Sequence, residues 1–366
     1  MAKKKIIVSV TNDLTTDMRV DKICNSLLAL NYEVLLVGRK LPDSLAVNRA
    51  YQTKRFNLCF NKGALFYANY NFRLFFFLLF NRFDVLWSND LDTLLANYLG
   101  YKLKGKKIIF DSHEYFTEVP ELVARPKVKA IWKGLEKWIL PQLKHVFTVS
   151  QSIANLYKKE YNIDVNLLRN VPLLNKKAVE VENIKISGKK IIIYQGAINV
   201  NRGIEQVVEA MQYVDNALLY IFGKGDIVVE ITALVEKLSL QQKVKLMGEI
   251  PLEKLNGFTL QADLGLSLEE DMGLNYRFAL PNKLFNYLQA GVPVLVANLP
   301  EMSSLVNEYK VGETIGNHLS KHIAEKITSM LTDEVQLKKW SFNAKQASLV
   351  LNWEKEQVII KEVLNA

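Results

Sequence analysis

Three cationic side chains stand where the sequence is built to meet an anion. Lys283 lies in Pro281-Asn-Lys-Leu-Phe-Asn-Tyr-Leu-Gln-Ala-Gly291, where Pro281 sets φ for a helix start, Leu284, Phe285 and Leu288 recur at helical spacing, and Gly291 stops the turn. The first-turn N–H groups of such a helix lack intrahelical partners, so together with the Lys283 ammonium they favour a phosphate. The same residues also describe an ordinary helix of a parallel-sheet domain. Arg202 closes the loop Gln195-Gly-Ala-Ile-Asn-Val-Asn-Arg202-Gly203 and offers phosphate a planar fork of donors. His113 sits in Asp111-Ser-His-Glu-Tyr-Phe-Thr-Glu118, just past a β-rich run, where open α/β sheets place ligands. A buried ring bonded to backbone is the alternative there. Of the other histidines, His145 leads into an apolar run, and His318 and His322 lie in a polar region.

These groups need a scaffold that gathers loops at one end. Residues 6–10 form a β-branched run, 11–17 a polar loop, 18–30 an amphipathic helix and 32–37 a second strand, so the chain begins β-α-β and a doubly wound parallel sheet is the natural continuation. That first loop has no G-x-G-x-x-G, which disfavours a simple NAD enzyme. An aromatic helix is expected at 64–82, strands at 84–87, 106–110 and 146–150, and helices at 93–103 and 151–161. Between two of these, Ser88-Asn-Asp-Leu-Asp92 has the look of an Asp-x-Asp metal motif, yet N-capping of the next helix explains it. A mixed-charge linker fits 174–189, after which β-α alternation restarts at 191–194 and continues through 218–222, the turn Gly223-Lys-Gly225, 244–247 and 262–268. The chain closes in polar helix from about 334.

The order Pro-Asn-Lys-Leu-Phe-x-Tyr-x-x-Ala-Gly-x-Pro-Val over 281–294 resembles the donor-binding segment of retaining glycosyltransferases with the GT-B fold, specifically glycosyltransferase family 4. The resemblance implies two Rossmann-like domains facing across a cleft: 1–173 for the acceptor and 190–345 for a nucleotide diphosphate sugar, with 346–366 returning to the first domain. On this reading His113, Arg202 and Lys283 are the catalytic group, and Gly196, Gly223, Asn282, Leu284 and Asn286 bind the donor. Asp13, Arg19, Glu114 and Glu270 would touch acceptor or sugar. Arg202 and Lys283 neutralise the departing diphosphate without a metal ion, and no cofactor is implied beyond the nucleotide sugar. In the front-face reaction usual for the family, the leaving phosphate takes the acceptor's proton and His113 positions the sugar.

The chain departs from the family pattern in places. Two glutamates seven residues apart usually bracket this segment, and Phe278 and Asn286 occupy their positions. Ala197 stands where an arginine is common. Glu269, Glu270 and Asp271 either replace the missing carboxylates or form a solvated loop. Two further readings follow: a catalytically silent binding or scaffold protein, and a sugar-nucleotide epimerase of the same architecture.

Composition narrows the partners. The 366 residues, 49% of them apolar, suffice for two ordinary cores. Cys24 and Cys59 suggest neither a metal site nor a disulfide framework, and no apolar run is long enough for a signal core or a bilayer span, so a cytoplasmic protein is expected. The net charge of +9 is uneven: residues 1–173 carry 26 Lys and Arg against 15 Asp and Glu, whereas 174–366 carry 21 against 23. A basic first half calls for an anionic partner, either a phosphate-bearing glycan or lipid-linked acceptor or the inner face of the membrane; no nucleic-acid module is present. Lysines 127, 129, 133 and 137 alternate with Ile131, Trp132, Leu135 and Trp138 over 126–144, which fits both a helix lying on an anionic membrane and a domain helix with its apolar side in the core. The expected setting is cell-surface polysaccharide or glycolipid synthesis.

Overall fold

The structure, a computed structural model, describes residues 3–15, 17–174 and 179–366. It contains two compact units, Met1–Asn170 with Glu356–Ala366, and Val171–Lys355.

The first unit is built on a parallel seven-stranded sheet: β1 (Lys5–Ser9), β2 (Glu33–Lys40), β3 (Gln52–Asn57), β4 (Val85–Asn89), β5 (Lys107–Ser112), β6 (Val146–Thr148) and β7 (Asn166–Leu167), in the order β3-β2-β1-β4-β5-β6-β7. Strands covered on both faces read as continuous apolar runs, and Ile6, Ile7 and Val8 are accordingly fully buried. The strand order reverses between β1 and β4, so the loops after β1, β4 and β5 crowd together at the carboxyl ends. Asp17 caps the helix Met18–Ala29 by accepting a hydrogen bond from the Val20 N–H at 3.0 Å. β3 was not expected: its sequence, Gln-Thr-Lys-Arg-Phe-Asn, is polar because it lies at the sheet edge beside β2 alone.

The second unit holds a parallel six-stranded sheet: β8 (Lys190–Gln195), β9 (Ala217–Phe222), β10 (Val244–Gly248), β11 (Leu264–Ser267), β12 (Val294–Ala297) and β13 (Gly312–Ile315), in the order β10-β9-β8-β11-β12-β13. Its reversal falls between β8 and β11. The helix Asn282–Ala290 follows β11 and ends at Gly291, whose φ of 72° is left-handed. Tyr287 moors this helix to the sheet. Its fully buried hydroxyl accepts from the Gln195 N–H at 3.2 Å and lies 3.2 and 3.3 Å from the Leu266 and Ile193 carbonyls, while its ring occupies the space that a side chain at Gly265 would need. Lys283, one helical turn earlier, is thereby aimed from a fixed base.

Of the expected linker 174–189, residues 175–178 lie outside the described residues. Nearby, Ile184 is buried and its N–H donates to Gln261 at 2.9 Å, so this stretch packs onto the second unit. The chain's return begins later than the expected 346. The helix Glu334–Ser348 buries Trp340, Ala344 and Ala347 and packs on Asn282–Ala290, with Ser341 donating to the Gly291 carbonyl at 2.6 Å. Only from Glu356 does the chain join the first unit: Glu356 accepts from the Arg169 backbone and guanidinium at 3.0 and 2.8 Å, and Lys107 donates to the Val363 carbonyl at 2.8 Å.

Candidate functional site

In the second unit the two expected cations meet on one oxygen. Lys283 Nζ lies 2.7 Å from Glu269 Oε1 and Arg202 Nη1 lies 3.8 Å from the same atom. Glu269 is 0% exposed; it is the second residue past the end of β11, and its other oxygen accepts from the Ser267 hydroxyl at 2.7 Å. Burial by itself raises the carboxyl's pKa, but the Lys283 charge and the Ser267 hydroxyl outweigh it and hold the group below its ordinary range. The ammonium rests over the Tyr194 ring, 4.1 Å from its centroid, and the Arg202 guanidinium over Tyr276 at 4.9 Å. Lys283 Nζ and Glu269 Oε1 are at ion-pair distance but not in hydrogen-bond geometry, and Arg202 Nε is buried without a partner. Buried donors left open beside an ion pair suit an anion that brings its own acceptors.

The floor of this site is backbone. Gly223 has φ 143°, and a Cβ there would lie 1.8 Å from the Gly196 carbonyl oxygen, so only glycine lets the loops after β8 and β9 approach so closely. A cavity of about 700 Å³ opens beside them, lined by Gly196, Ala197, Gly223, Asp226, Glu249 and Leu255 among others. Glu270 ties the loop after β11 to the Arg202 loop: its N–H donates to the Asn201 carbonyl at 3.0 Å and its carboxylate accepts from Gln206 at 3.1 Å. Asp271 pairs with the exposed Arg277 at 2.5 Å. The three consecutive acids thus do three different jobs, and Glu269, which sequence reasoning left undecided, is the centre of the site. The available signal was its place directly after the apolar run 264–268.

In the first unit His113 is clamped between acids. Its Nδ1 faces Asp90 Oδ2 at 3.3 Å, its Nε2 faces Asp111 Oδ2 at 3.3 Å and Asn89 Oδ1 at 3.0 Å, and its backbone N–H donates to Asp90 Oδ1 at 2.8 Å. Asn89 donates from Nδ2 to the Ser9 carbonyl at 3.0 Å, which leaves its oxygen turned to the ring. Both ring nitrogens therefore act as donors, and the ring is an imidazolium. Burial works against the charge, but Asp90 and Asp111 overcome it and push the pKa up to about 9. Asp111 is fully buried; burial raises its pKa, yet Arg19 and His113 hold it well below the usual carboxylate range. Burial, reinforced by the Asp90 charge, pushes the Asp92 carboxyl up to about 7 although the Thr11 hydroxyl donates to it at 2.5 Å.

The structure corrects several expectations. Asn89, Asp90 and Asp92 do not cap the helix Asp90–Lys104: Asn89 makes no side-chain cap bond, Asp90 turns left-handed at φ 55° to reach His113, and Asp92 accepts from Thr11. Arg19 is 2% exposed and grips Asp111 through two bonds of 2.6 and 3.1 Å and the Leu168 carbonyl at 2.8 Å, so it positions the carboxylate behind His113 and presents no face to a sugar. Leu284 is fully buried core, and its N–H is spent on the Pro281 carbonyl, so it cannot touch a donor. Asn286 lines a separate cavity of about 290 Å³ with Asn256, Thr259, Gln289 and Lys345. Asn282, by contrast, is exposed at the helix start beside Lys283. Asp13 pairs with Arg55 at 2.8 Å, and Glu114 is half-buried directly after His113. In the helix Pro126–Ile139, Trp132 packs in the core against Tyr67 and Phe116. Lys133 is held 2.7 Å from both Glu136 and Glu160, and Lys129 2.7 Å from Glu118. Two of the lysines that a membrane face would need are already neutralised.

Comparison with known proteins gives the family and the fold. Residues 18–172 match the family described as Glycosyltransferase Family 4, and residues 175–347 match the family described as Glycosyl transferases group 1. No curated protein sequence matches significantly. Among solved structures, sucrose-phosphate synthase from Thermosynechococcus elongatus superposes with a TM-score of 0.80 at 17% identity, covering 99% of this chain and 98% of that one. HepE from Anabaena, solved in complex with UDP-glucose, gives 0.75 at 14% identity, covering 99% of each chain. A glycosyltransferase from Rickettsia africae gives 0.73 at 15% identity, covering 100% of this chain and 99% of that one.

Proposed function

Because this chain belongs to the family 4 type of GT-B glycosyltransferases, we propose that it moves a sugar, with retention, from a UDP- or GDP-sugar to a glycan or lipid-linked acceptor. The observation that carries this reading is the convergence of Arg202 and Lys283 on Glu269 Oε1, next to a cavity floored by Gly196 and Gly223. Two cations sharing one carboxylate leave a local surplus of positive charge. A diphosphate supplies what is missing, and the start of the helix Asn282–Ala290 adds its dipole and open N–H groups. Charge developing on the departing phosphate is then met by groups already in place, so this role calls for no metal ion. His113, already protonated, serves as a fixed cation and donor, not as a base.

The UDP-glucose complex of HepE makes UDP-sugars the first donors to test. The proposed setting is cell-surface polysaccharide or glycolipid synthesis at the cytoplasmic face of the membrane, in keeping with the basic first half of the chain. Incubation with UDP- and GDP-sugars tests the reading: transfer or slow hydrolysis supports it, a changed sugar still on its nucleotide marks an epimerase, and binding without turnover marks a silent binding protein. Lys283→Ala and Arg202→Ala each remove a charged donor worth about 1.5–3 kcal/mol, so each weakens UDP binding about 10- to 150-fold. Unchanged affinity in both variants would remove the assignment.

A further inference from the structure

The helix Gly63–Phe80 carries a feature that the transfer reaction does not use. Phe72, Phe76 and Phe80 are 64%, 40% and 80% exposed at successive turns, with ring centroids 4.7 and 6.5 Å apart, and Leu65 extends the same apolar surface toward the helix start. Apolar rings held together in water mark a contact surface. Charge says with what. Residues 44–83 contain six Lys and Arg and no Asp or Glu. Arg49 and Arg55 are committed to Asp21 and Asp13, but Lys62, Arg73 and Arg82 are exposed and, among the described residues, have no carboxylate partner. Arg73 lies three and seven residues before Phe76 and Phe80, on their side of the helix.

We propose that this helix is a membrane-docking face: its phenylalanines enter the headgroup boundary of an anionic bilayer while Lys62, Arg73 and Arg82 meet lipid phosphates. A second copy of the chain fits the surface poorly, since pairing would bring an all-cationic segment against itself. The helix lies along the surface and does not insert across it, because among the described residues no helix is long and apolar enough to span a bilayer. Docking falls to this helix and not to Pro126–Ile139, where Lys129 and Lys133 are bound to carboxylates. The proposal depends on no assumption about the donor.

Co-sedimentation of the full chain with phosphatidylcholine vesicles, with and without phosphatidylglycerol, and with no nucleotide present, tests it. The wild type should partition onto the phosphatidylglycerol vesicles and be released in high salt. The triple variant F72S/F76S/F80S should lose binding at least about tenfold, since three rings leave the contact. Phe80→Ser alone, at the end of the helix, keeps the test valid if the triple variant fails to fold and should weaken binding several-fold. Arg73→Gln with Arg82→Gln should abolish the preference for the anionic lipid. No partitioning, partitioning indifferent to the phenylalanines, or a dimer in sedimentation velocity that the serine variants dissociate would overturn the assignment.

Discussion

Replacing Glu269 by Gln offers the sharpest test of the charge arrangement in the second unit. The change keeps the volume but leaves the Lys283 ammonium 2.7 Å and the Arg202 guanidinium 3.8 Å from a neutral amide at a position with no solvent exposure. At an effective dielectric of about 20, those distances correspond to gross attractions of about 6 and about 4 kcal/mol. Desolvation offsets much of the first, and the partial exposure of Arg202 screens the second. Removing one partner of a buried pair typically costs about 3–5 kcal/mol, and a loss of that size is expected at pH 7. The sign with pH is fixed by the direction of the Glu269 shift. A carboxyl held below its ordinary value stabilises the fold above the unfolded pKa of about 4.3 and loses that contribution as pH falls through the lower folded value, so wild type and variant should converge in acid. UDP then discriminates this account from a generic core defect. At a hundred times its Kd a ligand adds about 2.7 kcal/mol, and in the variant both cations are released toward the phosphates, so the gain at equal UDP should be larger than in wild type. Urea unfolding at pH 7 and at steps down to about pH 3, below the unfolded value, with and without UDP, measures all of this. A variant as stable as wild type, or one with the same UDP gain, would refute the claim that Glu269 is the resting counter-ion of the phosphate site.

Gly223→Ala places a Cβ 1.8 Å from the Gly196 carbonyl at a φ of 143°, so the loops after β8 and β9 must separate, and UDP binding should fall at least tenfold as judged by calorimetry, roughly a 1.4 kcal/mol loss. Binding within twofold of wild type would mean the cavity does not hold the nucleotide. His113 has its pKa raised from 6.5 to about 9, so it contributes stability that is whole below pH 6.5 and is lost as pH climbs through 9, with a ceiling of about 3 kcal/mol. Asp92, raised to about 7, loses its own contribution lower down, and the buried Cys24 thiol, pushed up by burial, adds a slope above about pH 8.5. Unfolding between about pH 7.5 and 8.5 therefore reads mainly the histidine, and His113→Gln should flatten that slope; an unaltered slope would break the clamp argument.

Much of the donor-side segment was legible because its signals are local. Pro281 and Gly291 delimit the helix Asn282–Ala290 within a residue, since a fixed φ and a left-handed turn are properties of those residues alone. The β8 and β9 strands read correctly because buried parallel strands are continuous apolar runs. What stayed hidden depends on contacts far apart in the chain. Glu269 looks like its neighbours Glu270 and Asp271 until Lys283 is folded against it, and Arg19 looks like a free cation until Asp111, 92 residues away, closes on it. Leu284 and Asn286 were misplaced for a different reason: a motif gives positions along a helix, whereas ligand contact depends on which side of the helix faces the cavity, and Leu284 faces the core.

The two clusters differ in charge balance, and that difference bears on what each can hold. Around Glu269 two cations share a single carboxylate, and donors on Lys283 and Arg202 remain open, so the cluster is complete only with an anion added. Around His113 the cations are Arg19 and the imidazolium, set against Asp90 and Asp111 with Asp92 partly ionised near neutral pH, so no positive surplus remains. A phosphate brought to that cluster would meet carboxylates before it met a free donor. Neutral hydroxyl groups, which both donate and accept, suit such a balanced surface. On the proposed function the first cluster would take the diphosphate and the second the sugar, a division of labour that rests on the charge balance of each cluster.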